Sequence, residues 1–431
     1  MEPPEQLGST AGSFRKKGST FSLLVRNRDF RLLFAAMVVS FAGDWFLFVA
    51  LAGLLFSLTQ SPAYVAALYA AMTVPFALAT FVGGPLADRF NRQFLMVASD
   101  VLRGLLALGF FLVDRPSKVW IVFVLSALIS ALQAVFEPSA MASIPNLVDR
   151  EDLAAANVLA AATWGTMLTV GSALGGLVVT TLGREAAYVV DAASFLGSAI
   201  LVLQIRRRFS EERERHHKHP GLVEAAREAL RHARKDRRVL ALLTVKGGFG
   251  LGAGVIALLP VLAFQVYQAG DGGTGILYAF RGIGIVAGPF LIRPFVRDED
   301  LRSVFWAIAA AFAVFAVTYA VVPLMPGIFL AGLFVLAGHL GGGVQWTLSS
   351  YALQLIVPDR IRGRILAFDQ GLIGLTVAAS ATLAGWIADY VDVRTVMLGL
   401  AAVAGAYAVI WTIATTGIRR SLTPVTEPAV A

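Results

Sequence analysis

The chain contains no cysteine, so it can form neither a disulfide nor a thiolate metal site, and the redox state of its compartment is unreadable. Charge is also scarce. Only 15% of residues are Asp, Glu, Lys or Arg, against about a quarter in a soluble domain. There is no Gly-x4-Gly-Lys-Ser/Thr phosphate loop, no acyl-transfer constellation and no zinc motif, so neither an enzyme nor a bound cofactor or metal is expected. No nucleic-acid recognition motif accompanies the formal charge of +8, and nucleic acid is not an expected partner. A cleavable signal peptide is not expected either. The first apolar segment follows about 28 polar residues and is too long for a signal h-region.

What the 431 residues do contain is apolar length: 57% are hydrophobic and the mean hydropathy is +0.72. Long apolar stretches alternate with short polar ones, so the solvent for most of the chain is lipid. A spanning helix needs about 20 mostly apolar residues. On that basis helices are expected over residues 30–58, 62–87, 94–113, 118–138, 153–182 and 185–205, and again over 239–267, 273–292, 301–323, 327–355, 364–390 and 393–416. They are too long and too uniformly apolar for barrel strands. The fold class is therefore all-α membrane protein with twelve transmembrane helices.

Lys and Arg set the orientation. With a cytoplasmic N-terminus, the inside receives Arg15, Lys16, Lys17, Arg26, Arg28, Arg89, Arg92, Arg150, the basic run 206–238, Arg293, Arg297, Arg302, Arg360, Arg362, Arg364, Arg419 and Arg420. The outside receives Arg115, Lys118, Arg184 and Arg394. Both termini are thus expected to be cytoplasmic, in a multi-pass plasma-membrane protein.

The run 206–238 divides the chain. Its second part reads as a surface helix on the inner membrane face, with Leu222, Ala226 and Leu230 along one side and Glu224–Arg227 and Glu228–Arg231 pairs on another. The histidines His216, His217 and His219 read as part of a solvated charge run rather than a metal site. Shifting the first half by about 210 residues brings matching features together. Arg28 meets Arg238, Leu33 meets Leu243, Arg92 meets Arg302, Asp149-Arg150 meets Asp359-Arg360, Gly175 meets Gly385 and Arg184 meets Arg394. The expected division is a cytoplasmic tail 1–28, a six-helix bundle 29–205, a linker 206–238, a second pseudo-symmetric bundle 239–416 and a tail 417–431.

The turn after the second helix reads GGPLADRFNRQ, with Gly84, Asp88, Arg89 and Arg92 in the order Gly-x3-Asp-Arg-x2-Arg. It resembles the loop signature between helices two and three of the major facilitator superfamily. Asn91 stands where the family usually has glycine and Gln93 where it often has a second base; Asn tolerates left-handed backbone. The resemblance implies that the loop helps latch the two halves, with Asp88 near a helix N-terminus and Gly84 allowing close packing. RNRDFRLL and SFAGDW in helix one, VASDVLRGLLAL in helix three, FEPSAMASIPNLV before helix five, NVLAAATWGTMLTVGSALGGLVV and VVDAASFLGSAILVLQIRRR are similar to the branch of drug, macrolide and enterobactin exporters. The likeness covers nearly the whole chain. Antiporters of this superfamily often carry Gly-Pro-x2-Gly-Gly in helix five. Here Gly171, Gly175 and Gly176 remain as packing glycines but Ser172 replaces the proline.

Charges inside spans are the chemical candidates, because an Asp at a helix centre costs about 2.5–3.5 kcal/mol on the insertion scale and needs a cavity or a partner. Asp44 lies about 14 residues, or about 21 Å, into helix one, near mid-bilayer. The resemblance places it on the central cavity as a proton carrier; a paired structural acid is the competing reading. Glu137 stands before Pro138, either as a second acid that alternates between proton and substrate or as an interfacial acid where the helix breaks. Asp100 and Arg103 share a helix face and are expected to pair. Asp191, Lys246, Arg281 and Asp369 lie one to two turns inside helix ends, where structural roles lead; Arg281 is also a candidate anion contact. His339, among Gly338, Gly341, Gly342 and Gly343, is either a proton relay or a packing residue. Gln133, Gln345 and Gln354 can bond solute or helix, and Trp45 and Trp164 are candidate walls for a lipophilic substrate.

The resemblance implies a monomeric secondary transporter in the lipid bilayer, taking a small-molecule substrate with protons as coupling ion and working by alternating access. Export of a drug, macrolide-like compound or siderophore leads. Uptake or lysophospholipid flipping by the same fold, and a scaffold or sensor without turnover, are the alternatives.

Overall fold

The computed structural model describes residues 21–207, 209, 222–297 and 300–422; the side chains of residues 81, 82, 84, 85, 88, 222–226, 359 and 360 lie outside that description, as do His216, His217 and His219. Among the described residues, twelve helices are long and apolar enough to cross a membrane. They are α1 (Arg28–Thr59), α2 (Pro62–Arg89), α3 (Arg92–Leu108), α4 (Val119–Leu147), α5 (Leu153–Leu182), α6 (Arg184–Leu203), α7 (Arg237–Gln265), α8 (Gly270–Ile292), α9 (Leu301–Val321), α10 (Ile328–Ile356), α11 (Asp359–Ala388) and α12 (Val393–Ala414).

Their neighbours repeat. In the first half α1 packs on α5 and α6, α2 on α4, and α3 on α4 and α6; in the second, α7 packs on α11 and α12, α8 on α10, and α9 on α10 and α12. The halves meet where α2 lies against α11 and α5 against α8. An even number of spans puts the chain ends and the linker at one end of the bundle, called here the terminal end; the other is the distal end.

Polar side chains start several helices. Asn27 accepts from Phe30 N, Asn91 from Phe94 N, Asp236 from Arg238 N, Asp300 from Arg302 N and Asp392 from Arg394 N, satisfying N–H groups that a first helical turn leaves free. Asn91 has φ −63 and ψ 117. It is extended rather than left-handed, because its task is to cap α3. Hydrogen bonding from Arg238 holds the Asp236 carboxyl below the usual carboxylate range.

Two helices depart from expectation in opposite ways. The fourth continues through Pro138 and Pro145 to Leu147, so Glu137 is inside a helix and not at a break. Neighbouring helices tolerate such a proline because lipid offers the backbone no alternative partner. The seventh is interrupted at Ala253 and Leu258, ahead of Pro260. Ser380 of α11 repairs the gap: its hydroxyl accepts from Gly254 N at 3.0 Å and donates to Leu251 O at 2.7 Å.

The linker helix Leu222–Lys235 packs on α7 and α11. Ala229 and Ala233 are buried and Leu230 is partly buried; Leu222 and Ala226 of the expected line have side chains outside the described set. Glu228 pairs with Arg364 of α11 rather than with Arg231.

Candidate functional site

The first polar cluster lies within the first half. Arg103 of α3 is fully buried. Its Nη2 donates to both Asp44 oxygens at 2.7 and 2.8 Å, and its Nη1 donates to Asp100 Oδ1 at 3.2 Å and Ser40 Oγ at 3.0 Å. Its guanidinium carbon sits 4.0 Å from the centre of the Phe195 ring. Asp100 and Arg103 are thus in contact as i,i+3 neighbours. Asp44, however, is buried at 9% exposure and tied to α3 across helices, where sequence reasoning had left its partner unnamed. Asp191 of α6 is fully buried, and neither carboxyl oxygen has a hydrogen-bond partner among the described residues. It packs against Gly43 of α1, beside Asp44, and lies within electrostatic range of Asp44, Arg103 and Asp100. Glu137 of α4, partly buried, is within range of Asp44 and Arg103. Two acids therefore bond one guanidinium, with Asp191 buried beside Asp44 and unbonded among the described residues.

The second cluster lies in the second half and reaches the first. Arg281 of α8, at 5% exposure, donates from Nε to His339 Nε2 of α10 at 3.2 Å and from Nη2 to the Tyr69 hydroxyl of α2 at 3.3 Å. Since His339 Nε2 accepts, its proton is on Nδ1, which lies 3.1 Å from Val335 O and 3.2 Å from the Tyr319 hydroxyl. Arg281 stands 5.4 Å from the Tyr278 ring centre and 6.0 Å from that of Trp45. Trp45 meets Trp164 at 5.9 Å and Tyr278 at 5.9 Å, and Phe48 meets Tyr278 at 4.7 Å and Tyr69 at 6.3 Å. Aromatic rings from both halves form a wall beside the cation.

A third group is internal to the second half. Lys246 of α7 pairs with Asp369 of α11, and its Nζ also donates to Ser350 Oγ at 2.8 Å and Gln370 Oε1 at 3.1 Å. Gln345 is buried at 1% exposure with neither side-chain polar atom bonded among the described residues.

At the distal end, polar contacts cross between halves. Arg184 at the start of α6 meets Asp271 in the first turn of α8, with Nη2 to Oδ2 at 2.9 Å and Nε to Oδ1 at 3.4 Å, and also donates to Ser57 Oγ at 2.8 Å. Asp389, after α11, accepts from Ser61 Oγ at 2.8 Å and from Ala63 N at 3.0 Å, so it caps α2 from the opposite half. Phe56 packs on Phe264 with ring centres 5.0 Å apart. This end is held closed by side chains of both halves. The sequence carried no signal for these pairs, because each joins residues distant in the chain.

The packing glycines divide their work. Gly171 and Gly175 face α1: an added Cβ would lie 2.9 Å from Ala42 O or from Phe46 Cα. Gly176 faces the other half, where its Cβ would lie 3.0 Å from Gly275 Cα. In the loop signature, buried Arg92 donates to Ala87 O at 3.1 Å, Ala142 O at 2.6 Å and Phe209 O at 3.0 Å. These bonds stitch α2, α4 and the linker together. Gly84 and Asp88 lie in the last turns of α2 and Arg89 is its final residue; the Gly84 and Asp88 side chains are outside the described set.

Twelve spanning helices in two six-helix bundles of matching neighbours, with polar clusters at their junction, define a transporter of the major facilitator type. A family model described as transmembrane secretion effector matches residues 18–422, and the chain belongs to that family. It is 26% identical over 378 residues to Tap of Mycobacterium bovis, named a multidrug efflux pump, covering 83% of this chain and 87% of that one. To YfiS of Bacillus subtilis, named an uncharacterized MFS-type transporter, it is 26% identical over 186 residues, 43% of this chain and 44% of that protein. Its fold is similar to the crystal structure of a bacterial homolog of the human lysosomal transporter Spinster in an inward-facing, occupied conformation. There the TM-score is 0.72 at 12% identity, covering 95% of this chain and 100% of the other. The chain is a multi-pass membrane transporter and not an enzyme.

Proposed function

We propose that the protein is a proton-coupled exporter of amphipathic small molecules, working by alternating access in the plasma membrane with both termini cytoplasmic. The carrying observation is the charge count around Arg103. Asp44 and Asp100 bond one buried guanidinium and Asp191 is buried beside Asp44 with neither carboxyl oxygen bonded among the described residues, and uncompensated charge inside a bundle costs several kcal/mol. Three buried acids with one cation cannot all be ionised, so the cluster holds protons and exchanges them when its environment changes. The Arg103–Asp44 pair joins α3 to α1, so protonating Asp44 loosens a contact between two helices of the moving half. His339 is assigned a positioning role, because Arg281 occupies the ring nitrogen that a relay would use.

The energetics suffice. One charge moving through 100 mV releases about 2.3 kcal/mol, and about 1.4 kcal/mol maintains a tenfold gradient. The Lys and Arg asymmetry supports the orientation, and likeness to a protein named an efflux pump supports export. The test is efflux from proteoliposomes under an imposed pH gradient. Asp44→Asn is expected to abolish gradient-driven accumulation while leaving downhill counterflow. An Asp44→Asn protein with full gradient-driven transport would defeat the coupling assignment.

A further inference from the structure

The buried cations of the spans differ in how they are neutralised. Arg103 meets Asp44 and Asp100, and Lys246 meets Asp369; the partly exposed Arg184 meets Asp271. Arg419, at the terminal end, bonds a carbonyl and hydroxyls. Arg281 lies deeper and has no carboxylate in contact among the described residues. Its partners are a neutral imidazole and a phenol, and its Nη1 has none. A guanidinium offers five N–H donors in a fixed planar fork suited to carboxylate or phosphate. Leaving such a cation buried without an anion costs several kcal/mol, which aromatic faces at 5.4 and 6.0 Å offset only in part.

We infer that Arg281 is the docking point for an anionic group of the transported molecule, so that the substrate class is an amphipathic anion with a carboxylate or phosphate head and an apolar body. This rests on the reading of the chain as an exporter of amphipathic molecules. The head takes the buried, unbonded Nη1, and the body lies along Trp45, Trp164 and Tyr278. Trp45 is partly exposed and Trp164 is 38% exposed, so these two rings keep free apolar surface for the body of a ligand. His339 holds Nε and Tyr69 holds Nη2, which leaves Nη1 as the nitrogen free to take a ligand. An anion taking both Nη groups in the bidentate manner displaces the Tyr69 hydroxyl, which comes from the other half. Binding therefore replaces a hydrogen bond between halves with one to the ligand, and the docking site is also a point where the halves sense occupancy.

The experiment uses the full chain in phosphatidylcholine nanodiscs at about pH 8, with no gradient. Three fluorescent probes share one apolar body: 11-dansylaminoundecanoic acid, its uncharged primary amide, and the corresponding dansylaminoundecyl phosphate. Equilibrium binding is read by dansyl emission, with nanodiscs lacking protein as reference. The wild type is expected to bind at least one anion about tenfold more tightly than the amide, equivalent to about 1.4 kcal/mol. The ratio of the two anions assigns the head group to carboxylate or phosphate. Arg281→Gln is expected to remove the preference while keeping amide affinity within about twofold, and Arg281→Lys to restore part of it. Equal affinity for anions and amide in the wild type overturns the inference without recourse to any variant. A folded Arg281→Gln protein that keeps the preference overturns it too. The measurement involves no proton gradient, so a failure of coupled export leaves this result standing, and the reverse.

Discussion

Removing the carboxylate of Asp271 is expected to shift the protein toward opening at its distal end. Asp271 and Arg184 belong to opposite halves, touch through two nitrogen–oxygen contacts of 2.9 and 3.4 Å, and retain 16% and 24% side-chain exposure. A hydrogen bond to a charged group contributes about 1.5–3 kcal/mol. Partial exposure screens the pair, so the lower end of that range applies here. In any arrangement with this end open, both groups are hydrated and the substitution costs nothing comparable. Asp271→Ala therefore raises the open-to-closed ratio by about tenfold, at about 1.4 kcal/mol per decade. The absence of native cysteine makes the assay direct. Leu182→Cys and Tyr390→Cys, both at exposed positions on opposite halves, accept spin labels with no competing thiol. Dipolar distance distributions should show the long-distance component growing in Asp271→Ala and growing further when Asp389→Ala removes the cap on α2. An unchanged distribution, or a shift to shorter distances, refutes the reasoning.

Lys246→Met strands the buried Asp369 carboxylate. It should lower stability by about 3–5 kcal/mol in detergent unfolding, with Lys246→Met/Asp369→Leu recovering most of the loss; a single variant as stable as the wild type contradicts this. Asp236→Ala removes the cap of α7 and should speed hydrogen exchange over residues 237–240 several-fold, for a loss of about 1 kcal/mol. Because folding holds the Asp236 carboxyl below its ordinary range, the cap's contribution is complete above the unfolded value of about 3.9. It is lost only as pH falls through the lower, folded value. The effect of the substitution should therefore be constant from about pH 5 to 8, and an effect that changes within that window argues against the assignment.

The spans were legible because lipid demands length and apolar composition, and both are written locally. Facing was not. Helices apolar on all sides carry no stripe to show which side meets which neighbour, so the Asp44–Arg103 pair was invisible although each residue stood out alone. Arg281 and His339 were likewise chosen separately and turned out bonded. The break expected at Pro138 did not occur because tertiary packing overrides a proline's preference inside a bundle, whereas the interruption in α7 depended on a hydroxyl from α11 that no local pattern announces. Asn91 was read as a left-handed turn residue and instead caps a helix, a second use of the same side chain that sequence does not distinguish.

Where α5 meets α8, main chain lies directly against main chain at Gly176 and Gly275. A Cβ added at Gly275 would stand 2.6 Å from Ser172 O, and one at Gly282 would stand 2.7 Å from Thr169 N. Side chains that mesh like gear teeth must disengage and re-engage when two bodies turn on each other. Around Gly176 and Gly275 the teeth are missing, and one rod can roll over its partner there with few rotamers to reset. The junction behaves as a smooth axle, and a single methyl group inserted there acts as a wedge.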